Sequence, residues 1–302
     1  MGRQGINLIV NLKSKTMKTT DKKQIQEQLI TYVTRYESQN EAAKSLRGVS
    51  AATISQIINN NWDLIKDEMW RNIAAQIDFK KSEWETVDTR DYKLTTQLLT
   101  DSQLTAQVYA VTGSAGTGKS TALKNYQAKT KRAYMLTCAE YWNRKYFLAE
   151  LLAKMGRDNT GLTVAEMMQE VVYNLKRRET PLIILDEADK LTDQVLYFFI
   201  TLYNELEGHC GLVLFGTEHL AKRIKKGVRL NKKGYEEIYS RIGRKFVELH
   251  GLGYTDCVQI CVANGIEDKN LIKQVFEDCE GDIRRIKRKI HAIKMSNQKQ
   301  AA

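Results

Sequence analysis

The stretch VYAVTGSAGTGKS, residues 108–120, decides the fold because it joins a strand, a tight loop and the start of a helix. Its first five residues are apolar, aromatic or β-branched and predict a buried strand. The next eight, GSAGTGKS, match G-x-x-x-x-G-K-[ST] at every fixed position. Glycines let the backbone wrap inward, so that its N–H groups point at one spot. Residues 121–128 favour a helix, whose N-terminus attracts anions at that spot. The alternative is a chance glycine-rich turn, although strand, loop and helix follow in the order that the motif requires.

The loop predicts a phosphate-binding site in which two side chains have distinct roles. Lys119 is expected to reach the β- and γ-phosphates of a nucleotide, and Ser120 is expected to hold Mg²⁺. The residues predicted to bind the nucleotide are Gly113, Ser114, Ala115, Gly116, Thr117, Gly118, Lys119, Ser120 and Thr121.

An acidic pair follows the apolar segment at residues 182–185. Asp186 would support the coordination of magnesium, and Glu187 would orient and deprotonate the attacking water. The alternative is an acidic helix N-terminus stabilised by the helix dipole. The phosphate loop upstream favours the first interpretation.

Other polar residues lie where a nucleotide site would use them. Thr217 follows the apolar segment at residues 211–215 and could bond the γ-phosphate or the water, or could instead cap the next helix. Arg241 or Arg244 could be an arginine finger that acts on a neighbouring subunit, or could belong to a solvated basic helix end. Arg284, at the start of the last predicted helix, could contact the nucleotide from a lid.

The pattern after residue 108 alternates between short apolar segments and amphipathic ones. This alternation predicts an α/β domain in which helices cover both faces of a parallel sheet. The predicted strands are residues 108–112, 133–137, 182–185, 211–215 and 246–249. The predicted helices between them include residues 142–155, 164–178 and 192–207, the second opened by a capping box at residues 163–166.

Short helices separated by a glycine turn are predicted before the sheet. Their apolar spacing predicts helices at residues 24–36, 40–46 and 51–59, with Gly48 in the turn and further helices at residues 64–77. The second and third helices predict a helix-turn-helix, whose third helix would enter a major groove. Ser50, Thr53 and Gln56 would then face the bases, although this helix carries no Arg or Lys. The alternative is a helical module that binds only protein.

The charge of the chain predicts a polyanionic partner. Its 302 residues contain 47 Lys and Arg against 36 Asp and Glu, a formal net charge of +11, whereas the alternative is charge that serves solubility. We expect contacts with the phosphate backbone somewhere among the basic side chains after the second strand and in the two runs at residues 221–234 and 284–294. The predicted DNA-binding residues there are Arg144, Lys145, Lys222, Arg223, Lys225 and Lys226.

The composition also bears on where the protein works. No segment approaches the ~20 apolar residues of a membrane span, and the N-terminus lacks a signal-peptide layout. The five cysteines contain no C-x-x-C pair, which favours buried thiols over disulfides or a metal site. We therefore expect a cytoplasmic protein.

Taken in order, GSAGTGKS, LIILDEAD, LVLFGTEHL, SRIGRK and GDIRR resemble the motifs of an AAA+ ATPase. With the preceding helix-turn-helix, the chain is similar to the MuB-type transposition proteins, the target-DNA activators of Mu-like phages, which are related to TnsC and IstB. The likeness covers roughly residues 24–294. It implies an AAA+ fold with a short helical lid and an N-terminal all-α domain. It places Thr217 at the sensor position, where Asn is commoner, and Arg284 at the second sensor.

The resemblance also implies a function. It implies a protein that uses ATP and Mg²⁺, binds duplex DNA without sequence preference and assembles on it as a helical filament. The filament would deliver its DNA to a DDE transposase and stimulate strand transfer, in a bacterial host cell and in association with the nucleoid. Two alternatives remain: a helicase loader or replication initiator, and a helix-turn-helix regulator with a vestigial nucleotide domain.

These patterns divide the chain into five segments. We predict a basic tail at residues 1–20, a helix-turn-helix domain at 21–78 and a linker at 79–101. The nucleotide-binding domain is predicted at residues 102–250, and the lid with a basic C-terminal helix at 251–302.

Overall fold

A parallel five-stranded sheet forms the centre of the part of the molecule that the structure describes. The structure is a computed structural model that describes residues 17–77, 79 and 84–300, with side chains to residue 297. Its strand order is β2-β3-β4-β1-β5. The strands are β1 (Val108–Thr112), β2 (Ala133–Thr137), β3 (Leu182–Asp186), β4 (Gly211–Gly216) and β5 (Val247–Glu248). This arrangement confirms the predicted α/β fold, and every predicted strand is present to within two residues at each end.

The sheet is buried on both faces, which explains why its strands appear as continuous apolar segments. In β3, Ile183 and Leu185 pack on one side with the larger core cluster, whereas Leu182 and Ile184 pack on the other. Alternate residues of a strand point to opposite faces, so a strand between two helical layers must be apolar throughout.

Helices connect the strands as the sequence predicts, with small differences in their bounds. They are α6 (Lys119–Lys129), α7 (Arg144–Lys154), α8 (Val164–Lys176), α9 (Asp193–Leu196), α10 (Phe198–Leu206), α11 (Glu218–Arg229) and α12 (Tyr235–Arg241). The predicted capping box forms at the start of α8, where Thr163 accepts from the Glu166 N–H and Glu166 accepts from the Thr163 N–H. The single helix predicted at residues 192–207 is divided at Tyr197 into α9 and α10.

The predicted linker at residues 79–101 is wrong for its second half, which forms the helix α5 (Arg90–Thr105). This helix packs on the sheet and on α6, and its Leu99 is fully buried. Its buried face also carries polar side chains, including Thr95, Ser102 and Gln103. The Gln103 amide donates to two backbone oxygens, so the face is hydrogen-bonded rather than apolar. A helix buried through polar residues gives a weak apolar periodicity, which is why the sequence did not predict it.

In the described part of the chain before α5, four helices enclose a core of their own around Trp70. They are α1 (Thr19–Val33), α2 (Gln39–Lys44), α3 (Ala51–Ile58) and α4 (Asp67–Gln76). The predicted caps are present, since Ser38 accepts from the Glu41 N–H and Ser50 accepts from the Thr53 N–H. The first helix begins and ends earlier than predicted, and it includes residues 19 and 20 of the expected tail. Residues 1–16 of that tail lie outside the described residues.

This helical region contacts the α/β core through several ion pairs, and two of them share the partly buried carboxylate of Glu41. The side chain of Glu41 on α2 lies 3.0 Å from the Arg157 guanidinium and 3.3 Å from that of Arg178. Gly156 lies against the same turn of α2, and a Cβ there would come 2.4 Å from the Glu41 carbonyl oxygen. The two regions are therefore packed closely at this point.

Among the described residues, three further helices follow β5, in the segment where the sequence predicts a lid. They are α13 (Tyr254–Ala263), α14 (Lys269–Cys279) and α15 (Ile283–Gln300). Cys257, Cys261 and Cys279 lie in the lid core, and all five cysteines are free and buried, as predicted. Among the described helices, none is both long and apolar enough to cross a membrane.

Candidate functional site

A cleft opens where the carboxyl ends of the central strands meet the lid. The phosphate loop follows β1, the acidic pair ends β3, and Thr217 follows β4, so parallel strands bring the three motifs to one edge of the sheet. The cleft is lined by Ala115, Gly116, Gly118, Lys119, Ser120, Thr121, Asp186, Glu187, Asp189, Lys190, Gly216, Thr217, Ile283 and Arg284. The structure thus brings most of the predicted nucleotide-site residues together.

The phosphate loop is held in its shape by glycines and by the lid. Gly116 and Gly118 have φ of +86° and +91°, a region that favours glycine. A Cβ on Gly116 would lie 2.2 Å from the Asp282 carboxyl group. The Ile283 N–H donates to the Gly116 carbonyl at 2.9 Å. The first turn of α15 therefore rests directly on the loop.

Lys119 begins α6 and curls its side chain back over the loop. Its Nζ donates to the Gly113 and Ser114 carbonyl oxygens, each at 2.7 Å. Burial lowers the pKa of this ammonium, and the nearby Asp186 opposes the shift. Gly113 and Ser114 thus orient the lysine with their carbonyl groups and do not line the cleft themselves. The Nζ also donates to the Thr117 hydroxyl at 3.4 Å. A cation whose hydrogen-bond partners are neutral oxygens can contact an anion in the loop.

Ser120 and Asp186 form the pair predicted to hold the metal. The Ser120 hydroxyl donates to Asp186 Oδ2 at 2.6 Å, and the Glu187 N–H donates to Oδ1 at 3.0 Å. Asp186 is only 1% exposed, and this burial raises the pKa of its carboxyl group. A hydroxyl and a carboxylate beside a phosphate site are the oxygen ligands that Mg²⁺ accepts. The donor set therefore fits a magnesium ion that also binds phosphate.

Glu187 lies in the cleft in an unusual backbone conformation. Its φ of +56° and ψ of 37° are left-handed, and its carboxylate accepts from Lys190 Nζ at 2.7 Å. Both side chains line the cleft and are partly exposed. A non-glycine residue held at positive φ commonly marks a functional position. The carboxylate is thus placed where a water beside the phosphates could donate to it.

Thr217 is the N-cap of α11, one of the two roles that the sequence left open. Its hydroxyl accepts from the His219 N–H and donates to Asp189 Oδ2 at 2.8 Å, and the residue also lines the cleft. Sequence reasoning missed Asp189, which orients this threonine. It also missed Lys190, whose signal was a basic residue directly after an acidic run.

The three predicted arginines differ in where they lie. Arg284 lines the cleft from the start of α15, as predicted for a lid residue. Arg241 donates to Asn204 Oδ1 at 3.1 Å and lies over the Tyr203 ring, whereas Arg244 donates to Glu236 Oε1 at 2.8 Å. Neither Arg241 nor Arg244 is among the described residues that line this cleft. Their role as a finger stays a prediction.

A second, smaller pocket adjoins the phosphate loop, and sequence reasoning missed it. Its walls come from the segment before α5, from the loop and from the lid. The lining residues are Trp84, Glu85, Thr86, Val87, Thr89, Tyr92, Thr117, Gly118, Thr121, Ile260 and Ile283. This largely apolar pocket beside a phosphate site could hold a planar base. The aromatic residues Trp84 and Tyr92, inside an apparent linker, were the one signal in the sequence.

Most of the core side chains predicted to contact DNA are exposed to solvent. Arg144 and Lys145 are exposed at the start of α7, beside Tyr141, which is 76% exposed. On α11, the exposed Lys222 pairs with Glu218, and the exposed Lys225 lies over the Phe246 ring. The exposed Lys226 lies on the same helix.

Arg223 is a correction to the predicted DNA-binding set. Its guanidinium donates to the Tyr235 hydroxyl at 2.9 Å, the Leu191 carbonyl at 2.6 Å and Asp193 Oδ1 at 2.5 Å. These bonds connect α11 to α9 and α12, so the side chain serves packing within the core. The sequence could not distinguish it from its neighbours because all lie in one basic run.

In the N-terminal region, the polar residues of α3 lie beside a groove. The hydroxyls of Ser50 and Thr53 are 2.9 Å apart at the start of the helix, where Ser50 is the cap. Thr53 and Gln56 line the groove together with Leu64, which is 82% exposed. Base contact by Ser50, Thr53 and Gln56 stays a prediction.

Comparisons with known proteins agree with this geometry. Residues 102–224 match the family model described as an AAA domain. The chain is also 23% identical over 243 residues to the "ATP-dependent target DNA activator B" of Escherichia phage Mu, which covers 76% of this chain and 75% of that protein. The protein of the same description from Escherichia phage D108 matches with the same identity and coverage.

Proposed function

We propose that this chain is an ATPase that binds duplex DNA in an ATP-dependent manner and delivers it to a transposase. The proposal is supported by the AAA domain and by the distant homology to the target DNA activators of phages Mu and D108. The observation that carries the proposal is the pairing of Ser120 with Asp186 at 2.6 Å beside Lys119, at the edge where the phosphate loop meets β3. That arrangement combines a phosphate site and a metal site.

The residues of the cleft have separate roles in the hydrolysis of ATP. Lys119 and the loop N–H groups bind the β- and γ-phosphates, and Ser120 and Asp186 hold Mg²⁺. The metal ion, when bound, neutralises charge on the phosphate oxygens. Glu187 accepts the proton of the attacking water. Asp189 fixes the hydroxyl of Thr217 towards the same space, and Arg284 contributes positive charge from the lid.

The adjoining pocket takes the base of the nucleotide. Trp84, Val87 and Ile260 provide apolar walls, and Thr117, Gly118 and Thr121 connect the pocket to the phosphate loop. A triphosphate bound by the loop thus has its base in an apolar pocket that the lid helps to form. Nucleotide binding is therefore coupled to the position of the lid.

Duplex DNA is bound through its phosphates. The exposed basic residues Arg144, Lys145, Lys222, Lys225 and Lys226 lie on α7 and α11 of the core. Lys and Arg that neutralise phosphates position a protein on DNA without reading its sequence. Such contacts support DNA binding without sequence preference.

Assembly on DNA completes the site of each subunit. Arg241 and Arg244 lie outside the cleft of their own chain, which is the position that a finger acting on a neighbouring subunit needs. A filament of copies on DNA would place one of them at the next subunit's phosphates. The DNA-bound polymer would then be the form presented to a DDE transposase.

The test measures binding of the full chain to a long duplex of arbitrary sequence, with ATP and Mg²⁺, with ADP and without nucleotide. We expect tight binding only with ATP, and a fall in affinity with salt whose slope is about −0.9 per neutralised phosphate. The variants Lys225→Ala and Lys226→Ala should each reduce that slope by about one, whereas Lys273→Ala on α14 should leave it unchanged. Electron microscopy should show ATP-dependent polymers on the duplex.

Binding that ignores nucleotide, or a chain that stays monomeric on long duplexes, would contradict the proposal. A single preferred operator sequence would favour a transcriptional regulator instead. Recovery of a replicative helicase rather than a transposase in a pull-down would favour a helicase loader.

A further inference from the structure

The pocket assigned to the base has a wall that is tied to the lid at two points. Residues 85–90 connect the N-terminal helices to α5, and they run beside α13 of the lid. We call residues 85–90 the base wall. Its Val87 and Thr89 line the pocket from one side, and Ile260 of α13 lines it from the other. The shape of the pocket therefore depends on how the base wall is held against α13.

Asn264 holds the first end of the base wall. This residue is the C-cap of α13 and is 4% exposed. Its Oδ1 accepts from the Glu85 N–H at 3.0 Å, and its Nδ2 donates to the Glu85 carbonyl at 3.1 Å. The same Nδ2 donates to the Ile260 carbonyl at 2.8 Å. One buried amide thus pairs with both backbone groups of a residue 179 positions away.

Asp256 holds the other end. It lies in the first turn of α13, where its Oδ1 accepts from the Arg90 N–H at 3.0 Å and its Oδ2 accepts from the Gly253 N–H at 3.1 Å. Asn264 and Asp256 therefore fasten the base wall to the two ends of one helix. Ile260 lies between them and faces the pocket.

The hydrogen bonds of the buried Asn264 amide affect the position of the base wall. The Asn264 side chain is buried, and it would lose two hydrogen bonds if the base wall moved away. Because an unsatisfied polar group inside a protein is costly, Asn264 favours the closed position of the base wall. A pocket that is already shaped before the ligand arrives binds more tightly, because no ordering cost is paid on binding. Asn264 is not among the residues that line the cleft around the phosphates, so we expect its main effect on the binding of the base.

We propose that Asn264 is a positioning residue for the base of the nucleotide, which holds residues 85–90 against α13 so that the base pocket exists before the nucleotide binds. This inference rests on the proposed function, since it requires that the cleft binds ATP. It adds a residue of the lid, remote from every motif, to the determinants of nucleotide affinity.

The test compares two ligands on the full chain, ATP and inorganic triphosphate, each with Mg²⁺, by isothermal titration calorimetry. In Asn264→Ala we expect the ATP affinity to fall by about tenfold and the triphosphate affinity to stay within about twofold of the wild type. In steady-state assays, KM for ATP should rise with little change in kcat, because the base is bound equally in the ground state and the transition state.

Asn174→Ala is the matched control. Asn174 on α8 is 5% exposed, and its Nδ2 donates to the carbonyl four residues earlier, as that of Asn264 does. It lines neither pocket. Its loss should lower the melting temperature by a similar amount and leave the ratio of ATP to triphosphate affinity unchanged.

A measurement on the wild type removes any dependence on the folding of the variant. Hydrogen exchange of the ligand-free chain should show that the Glu85 amide is protected before nucleotide is added. Protection that appears only with ATP would overturn the inference, as would equal loss of ATP and triphosphate affinity in Asn264→Ala or no loss of either. If the wild type bound neither ligand, the proposed function itself would fail.

Discussion

Asp186 and Lys119 carry opposite charges that are both partly removed from water. Burial raises the pKa of the Asp186 carboxyl and lowers that of the Lys119 ammonium, so each group is pushed towards its neutral form. Their mutual attraction offsets part of that cost. The site is therefore electrostatically unfavourable by itself, and a bound triphosphate with its metal ion would supply the missing charges.

This arrangement predicts that Asp186→Asn stabilises the ligand-free protein. A carboxyl whose pKa is raised by folding binds its proton more tightly in the folded state, so stability is lost as the pH rises through the folded pKa. Asp186→Asn removes this loss of stability, and the amide oxygen of the Asn side chain can still accept from the Ser120 hydroxyl.

We expect Asp186→Asn to melt at a higher temperature than the wild type at pH 7. The difference should vanish as the pH falls below the ordinary pKa of Asp, about 3.9. Addition of ATP with Mg²⁺ should raise the melting temperature of the wild type alone. A lower melting temperature for the variant at pH 7 would contradict this account.

At the scale of elements, the phosphate loop and the first turn of α15 form one contact. The loop carbonyl of Gly116 accepts from Ile283, and Asp282 occupies the space beside Gly116 where a side chain would lie. Arg284 enters the cleft from the next position of the same turn. The lid therefore contacts the loop directly at Gly116.

Gly116→Ala should accordingly weaken ATP binding by about tenfold or more, since a displaced loop or lid loses at least one hydrogen bond to phosphate. Gly161→Ala is the control, because Gly161 also has positive φ, +77°, but nothing lies within 4 Å of its would-be Cβ. Both variants should lose about 1–2 kcal/mol of stability from left-handed backbone strain. Calorimetric titration should show that Gly116→Ala binds ATP more weakly than Gly161→Ala does. Equal ATP affinities would contradict the proposed contact between loop and lid.

At the scale of the whole molecule, the N-terminal helices are held to the core by Glu41. Its two arginine partners come from either end of α8 and its flanking loops, and the Arg178 side chain is 3% exposed. The orientation of α3, and with it of Thr53 and Gln56, is therefore set relative to the nucleotide-binding core. Two carboxylates of the N-terminal region pair with the buried Arg178, Glu41 at 3.3 Å and Glu37 at 3.6 Å.

Glu41→Ala should cost less than the about 3–5 kcal/mol that is typical of a broken buried pair, because Arg178 keeps its longer contact with Glu37 while Arg157 loses the Glu41 carboxylate. Glu179→Ala is the matched control, since Glu179 pairs with Arg132 at the surface with an 87% exposed side chain and should change little. Chemical denaturation of both variants measures the difference. Equal stability would mean that the Glu41 contact does not hold the two regions together.

Arg241 and Arg244 are predicted to act in the assembly, as a finger that reaches a neighbouring subunit. Arg241→Ala or Arg244→Ala should lose ATP hydrolysis on DNA while keeping ATP binding, and Glu187→Gln should bind ATP without turnover. If the finger acts on a neighbour, mixing the finger variant with Glu187→Gln subunits should restore part of the hydrolysis, measured as phosphate release. Absence of any restoration would remove the argument for action between subunits.

Much of this fold could be predicted from short segments of the sequence. The strand at residues 108–112 and the loop after it follow from five consecutive strand-forming residues and from glycine spacing, which act within a few residues of each other. Asp186 and Glu187 were found in the same way, because a buried strand and its polar end are adjacent in the chain. The caps at Ser38, Ser50 and Thr163 are equally local.

Tertiary packing decided the rest. The helix α5 buries polar side chains whose partners come from other strands and loops, so no apolar period marks it. Arg223 differs from Lys225 and Lys226 only because α9 and α12 surround it. The pocket beside the phosphate loop joins segments near residues 85, 118, 260 and 283, and Asn264 bonds to Glu85 in its wall. The order of residues encodes backbone shape over a few positions, whereas contacts across such separations exist only once the sheet and the lid have assembled.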